Sequence, residues 1–268
     1  MQQFALTLLQ TVAMELIAVL GIFFALGFLL SKVQKATHEN YTRTIGWKGI
    51  LLTAWIGTPI HELGHAFFAK LFHHKISNIT LFQPNKSTGG LGHVEHSFNS
   101  NSVYQRIGNF FIGAAPLFFG GAALIGILYF VLPNGKDIIA MLNVQYDSVP
   151  SAIDTLKNVF FALIQRDNLN NTIFWIFVYI SFCISAHMAP SKQDVKGMWR
   201  GFAWLVGLLV IFNFILMLMN IDPREYVMRI ASSLSIIVAV FVYALLIATV
   251  HYVVTFILLR LPFQLLRR

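Results

Sequence analysis

The chain has 268 residues, of which 57% are hydrophobic and only 11% charged, against roughly 25% charged in soluble domains. That balance excludes an ordinary soluble enzyme and marks an integral membrane protein. The net charge of +8 comes from basic residues scattered between apolar runs, without a basic stripe carrying interleaved aromatics, so the expected partner is the lipid bilayer and no nucleic acid.

Met1-Gln2-Gln3 lacks the positive region of a cleavable signal, and the apolar run behind it is too long for one, so it reads as a first transmembrane helix. No lipidation signal stands at either end. Six stretches reach the roughly 17 to 25 residues that cross a bilayer as a helix. They run about from Phe4 to Leu30, Gly49 to Phe72, Phe110 to Leu132, Thr172 to Ala189, Phe202 to Met219 and Ile230 to Leu259. Residues 31 to 48 read as a polar, basic connection, and Ala152 to Leu163 as a short amphipathic helix. Asp222 and Pro223 mark a tight turn before the last span. Between the second and third spans, Ile76 to Phe82 and Leu91 to Phe98 flank Pro84 and Gly89-Gly90, the pattern of a β-hairpin.

No internal repeat or linker divides the chain. The expected fold is therefore an all-α polytopic membrane protein, with about six transmembrane helices and a small β-hairpin between the second and third. It forms one domain over residues 1–268 with its core at about 46–220. The cell membrane is the expected location, and the sequence sets neither oligomeric state nor orientation. Cys183, the single cysteine, lies in an apolar run and reads as a buried, inert thiol.

The second span carries His61-Glu62-Leu63-Gly64-His65. On a helix, residues four apart share a face with Cβ atoms roughly 5 to 6 Å apart, so His61 and His65 can bind one metal. Glu62 sits beside that metal, where it can take a proton from bound water. Ionisable groups deep in lipid cost about 2.5 to 3.5 kcal/mol each, so they are rare unless paired, hydrated or bound to metal. The bland alternative is a polar helix face lining a cavity. One zinc ion per chain is the cofactor this pattern implies, and a catalytic zinc wants a third protein ligand.

Asp194 is the candidate. It follows Pro190, which interrupts the fourth span, and spare membrane carboxylates are scarce. Ser191-Lys192-Gln193-Asp194 also reads as a capping box for the next helix, which leaves ligand and cap as alternatives. His93 and His96, three apart on a strand, point to opposite faces and read as surface or strand-edge residues. Asn109 is a candidate oxyanion donor or a helix cap, and His187 a candidate substrate-binding group or a satisfied core histidine. Glu15 and His251 lie within spans and can pair with each other or with Asn213.

Three elements together resemble the site-2 protease family of intramembrane zinc metalloproteases, over roughly Gly57 to Gly197. They are Thr58-Pro59-Ile60-His61-Glu62-Leu63-Gly64-His65-Ala66, the patch Gly113-Ala114-Ala115-Pro116-Leu117, and Pro190 followed by Asp194. The chain has His187 where the family usually has Asn, and four residues from proline to aspartate instead of five. The resemblance implies cleavage of a transmembrane segment of a partner membrane protein, with His61, His65 and Asp194 as ligands and Glu62 as base. Other readings are a cation transporter or channel using the intramembrane His and Glu, although no inverted repeat is seen, and a non-catalytic protease-like membrane chaperone. A membrane zinc peptidase cutting a soluble or lipid-modified chain is the remaining enzymatic alternative.

Overall fold

The computed structural model describes residues 2–142, 149–221 and 235–266. Helix α1 (Gln2–Glu15) runs through a π-helical turn, Leu16–Gly21, directly into α2 (Ile22–Thr44). Residues 31 to 44, expected as a polar connection, are thus helical. They stay helical because their polar residues divide between two faces. Lys35 and Glu39 face outward, and Glu39 meets Arg43 one turn on at 3.7 Å, while Thr37, Asn40 and Tyr41 are buried.

Gly46, at φ +79°, makes the turn into α3 (Trp47–Leu71). Strands β1 (Lys75–Thr80) and β2 (His93–Ser97) follow as the expected antiparallel hairpin, with Lys75 opposite Ser97 and Thr80 opposite His93. The register slips between Ile76 and Asn78, a bulge that bends the ribbon. Then come α4 (Val103–Val131), α5 (Gly135–Leu142), α6 (Val149–Leu163), α7 (Arg166–Leu169), α8 (Thr172–Ser185) and α9 (Lys192–Leu218). Helix α10 (Ser235–Thr255) passes through a second π-helical turn, Phe256–Arg260, into α11 (Leu261–Leu265). The expected amphipathic helix is α6, whose Val159, Ala162 and Leu163 are buried.

Among the described residues, three helical runs are long and apolar enough to cross a membrane: Val103–Val131, Lys192–Leu218 and Ser235–Leu265. The other three expected crossings fall short by length and composition. Helix α8 has 14 residues, about 21 Å at 1.5 Å per residue, against a hydrocarbon core near 30 Å. Helix α3 carries Lys48, His61, Glu62, His65 and Lys70 among its apolar residues. The π-helical turn leaves Phe4–Glu15 as a shorter apolar helix. The expected turn at Asp222 and Pro223, and the start of the last span at Ile230, lie outside the described residues.

Helix α4 is the centre of the bundle, packed against α3, α8 and α9. Small residues make this possible. A Cβ on Gly64 of α3 would lie 3.1 Å from the Ala115 carbonyl of α4, and one on Gly201 of α9 would overlap the backbone of Phe110. Elsewhere along α4 the packing is aromatic. Phe23 stacks on Phe118 at 5.3 Å and leans on Phe241 at 5.4 Å, while Phe24 stacks on Trp199 at 5.5 Å. These rings tie α2 to α4, α9 and α10.

Candidate metal centre

His61 and His65 stand one turn apart on α3, just beyond Pro59. The Nδ1 of His61 is 2.6 Å from the carbonyl oxygen of His187, and the Nδ1 of His65 is 2.8 Å from that of Ile112. A carbonyl can only accept, so each Nδ1 donates, and in the neutral imidazole each Nε2 keeps a bare lone pair. Those two Nε2 atoms face each other at 3.1 Å. Asp194 closes the group, with Oδ1 3.3 Å from the His65 Nε2 and Oδ2 3.7 Å from the His61 Nε2.

One ligand atom from each of the three residues lies within 4.8 Å of the others. Three acceptors converging this closely repel one another unless a proton or a metal ion lies among them. The donor set fits a metal ion in a further respect, because a ligating histidine usually donates its other N–H to a carbonyl or carboxylate. These residues could therefore hold a metal ion.

The backbone brings the parts together. Pro190 ends the irregular stretch after α8, and α9 starts with a capping box. The Ser191 N–H donates to Asp194 Oδ2 at 2.7 Å, and the Asp194 N–H donates to Ser191 Oγ at 3.2 Å. Asp194 thus caps its helix and faces the histidines at once. The two alternatives left by the sequence are compatible, since the cap fixes the plane of the carboxylate that reaches them. Close backbone contact positions the other partners. A Cβ on Gly57 would collide with the Cys183 carbonyl and the His187 ring, so that glycine lets the end of α8 lie on α3. A Cβ on Gly113 would meet the Asp194 carbonyl and Met198.

Glu62 is buried and lines the same cavity as the three candidate ligands, a space of about 1030 Å³. Among the described residues its carboxylate makes no hydrogen bond. The hairpin lies above it: a Cβ on Gly92 would come within 2.9 Å of the Glu62 Cγ and within 2.8 Å of the Thr80 and Leu81 carbonyls.

No family model, curated protein or solved structure matches the chain. The geometry of the site therefore carries the functional argument.

The remaining expected residues fall in distinct places. Asn109 lines the cavity from the second turn of α4, its amide N–H directed to the Arg106 carbonyl at 3.3 Å. It is not the helix cap, because Ser102 holds that position and accepts from the Gln105 N–H at 3.3 Å. The His187 ring is buried against Thr53, with Nε2 3.0 Å from Oγ1, while its backbone carbonyl orients His61. His93 is exposed beside Asn78. Glu15 and His251 do not pair with each other. Asn213 donates to Glu15 at 2.6 Å, and His251 meets the Tyr41 hydroxyl at 2.9 Å. Cys183 is buried and free.

Three further groups near the site gave no sequence signal. The Ile112 and His187 carbonyls that set both tautomers are backbone groups, which no residue type announces. His74, just past the end of α3, is buried and faces His96 across the root of the hairpin, Nδ1 to Nδ1 at 2.9 Å. Burial lowers the pKa of His74 from its ordinary value, opposed by its bond to the Gln105 carbonyl. It lowers that of His96 to about 4, helped by the nearby charges of His74 and His65 and opposed by Asp194.

Proposed function

We propose that this chain is an intramembrane zinc endopeptidase of the kind its motifs resemble, the site-2 proteases. It would cross the membrane six times, the three long apolar runs being joined by α1 with its π-helical extension, α3 and α8. The observation that carries the reading is the convergence of two Nε2 lone pairs, each fixed by a backbone carbonyl, on the Asp194 carboxylate beside an unpartnered Glu62.

His61, His65 and Asp194 would hold the zinc. When bound, zinc supplies a Lewis acid that polarises a carbonyl and brings the pKa of water to about 7. Glu62, free of other hydrogen bonds, takes the proton from the attacking water and passes it to the leaving amine, the two halves of general acid–base catalysis. The Asn109 side chain stands on the cavity wall as a candidate oxyanion donor. A transmembrane helix has its carbonyls already bonded and must be unwound before attack, and the open edges of the two-stranded hairpin are suited to hold the extended segment. The substrate class is accordingly a membrane protein with a transmembrane helix, and the cell membrane is the proposed location.

Purified wild-type chain should carry about one zinc per molecule, and Glu62→Gln should keep the zinc and lose cleavage of single-span membrane proteins. A chain without zinc, or a Glu62→Gln variant with undiminished turnover, contradicts the reading.

A further inference from the structure

The hairpin brings to the cavity a side chain whose hydrogen-bonding role is already decided. His74 Nε2 lies 2.8 Å from the Gln105 carbonyl oxygen. That oxygen only accepts, so Nε2 donates, and the neutral His74 ring is left with an accepting Nδ1. The group 2.9 Å away on that Nδ1 is the Nδ1 of His96, which must then donate. His96 is left with a bare Nε2, which among the described residues has no hydrogen-bond partner, on a ring that lines the cavity with Glu62 and Asp194. The ring stack of His74 on Phe98, at 5.2 Å, holds the relay against the root of β2.

We propose that His96 is a substrate-binding residue whose bare Nε2 accepts a hydrogen bond from a backbone N–H of the peptide in the cavity, and that His74 is the positioning residue that fixes its tautomer. The inference rests on the peptidase reading and adds one substrate contact to it. The chemistry selects the N–H. Glu62, Asp194 and the Nε2 atoms of His61 and His65 are all acceptors committed to metal or water, whereas an extended peptide brings unpaired N–H groups that cost free energy if left unbonded in a half-closed cavity. The same role follows from what His96 is not. It does not join the three-residue group whose ligand atoms lie within 4.8 Å of one another, so it does not serve as a fourth ligand.

The test uses the full-length chain in detergent with one equivalent of zinc and three probes. Acetohydroxamate engages the metal alone; a succinyl-hydroxamate dipeptide amide adds backbone N–H groups; its depsipeptide analogue replaces the first of those N–H groups by an ester oxygen. In the wild type the amide probe should bind about fivefold tighter than the ester, the worth of one neutral hydrogen bond. His96→Phe should level the two while leaving acetohydroxamate affinity unchanged. His74→Phe should do the same, and His74→Asn, whose Oδ1 can accept from His96 while its amide donates to Gln105, should restore the preference. An amide-to-ester ratio that is the same in wild type and His96→Phe overturns the proposal. Nitrogen-15 spectra of wild-type His96 should show Nδ1 protonated and Nε2 not; the reverse tautomer overturns the proposal without any variant having to fold. Failure of acetohydroxamate to bind the wild type defeats the metal reading itself and this inference with it, an outcome distinct from a levelled ratio.

Discussion

Two regions of the bundle are held together by different means. Around the candidate metal centre, α3, α4 and α9 meet through glycines, and the histidines are oriented by backbone carbonyls. Between α2 and α10, and between α1 and α9, helices are joined by side chains reaching across: Tyr41 to His251 at 2.9 Å, Asn40 to Thr255 at 3.1 Å, and Asn213 to Glu15 at 2.6 Å. Backbone groups have no rotamers, so they fix a partner's position tightly and tolerate no added volume. Side-chain links adapt, and one such hydrogen bond is worth only about 0.5 to 1.5 kcal/mol net. The site region should therefore be brittle and the outer region forgiving.

The sharpest break of that comparison is a single methyl group. Gly57→Ala puts a Cβ into the Cys183 carbonyl and the His187 ring; separating them should cost about 1 to 3 kcal/mol of stability and remove the His187 carbonyl from His61. Metal affinity should fall by about a hundredfold, at the upper end of what loss of such a partner costs. Gly126→Ala in α4, with nothing within 4 Å of the new Cβ, should leave metal binding unchanged and raise the melting temperature slightly. Equal effects in isothermal titration and thermal melts would remove the basis of the comparison.

A smaller break is Ser191→Ala. It deletes the hydroxyl that caps α9 and helps to set Asp194. About 1 kcal/mol of stability and about a tenfold loss of metal affinity are expected, read by melting and by competition with a chelator. In the outer region, Tyr41→Phe unpairs the buried His251 Nε2, which should cost about 1 kcal/mol of stability and retain full metal content. A Tyr41→Phe chain that loses its metal would show the outer links to be part of the site.

The smallest expected effect is a pH dependence of the hairpin. A histidine whose pKa is lowered on folding binds fewer protons folded than unfolded, so its contribution is full above its ordinary value of 6.5 and falls with pH. For His96 the loss should run from there down to about 4, with His74 shifted in the same direction; His65 and Asp194 across the cavity act on His96 with opposite signs. The protection factors of the β1 and β2 amides, with the intrinsic pH dependence of exchange divided out, should fall as pH drops through that window in wild type and become independent of pH in a His74→Phe, His96→Phe double variant. Protection factors that are flat with pH in the wild type would contradict the pairing.

Much of the site was legible in the sequence because its chemistry needs particular residue types at fixed spacing. His61, Glu62 and His65 share a helix turn, and Asp194 stood out as a carboxylate after Pro190; the capping box beside it proved to be part of the same arrangement. The hairpin was legible from Pro84 and Gly89-Gly90. What was hidden depends on distance along the chain. Helix α2 continues to Thr44 because its polar face finds partners far away in sequence, among them Gln34 accepting from the Ala189 N–H at 2.9 Å and Tyr41 meeting His251. Helix α8 ends at Ser185, short of the expected Ala189, because His187 to Pro190 turn back on α3 and α2, which hydropathy alone does not reveal. His74 carries no signal of its own for a related reason: a histidine just past a helix end gains meaning only when His96 is brought opposite it.

The central claim is that His61, His65 and Asp194 bind one metal ion. X-ray absorption at the metal edge of the purified chain tests it most directly. The account predicts one equivalent of zinc with two imidazole nitrogens and a carboxylate oxygen in its shell, and loss of the metal in His61→Ala. Trace metal that is unchanged in His61→Ala, or a shell without imidazole, would contradict it.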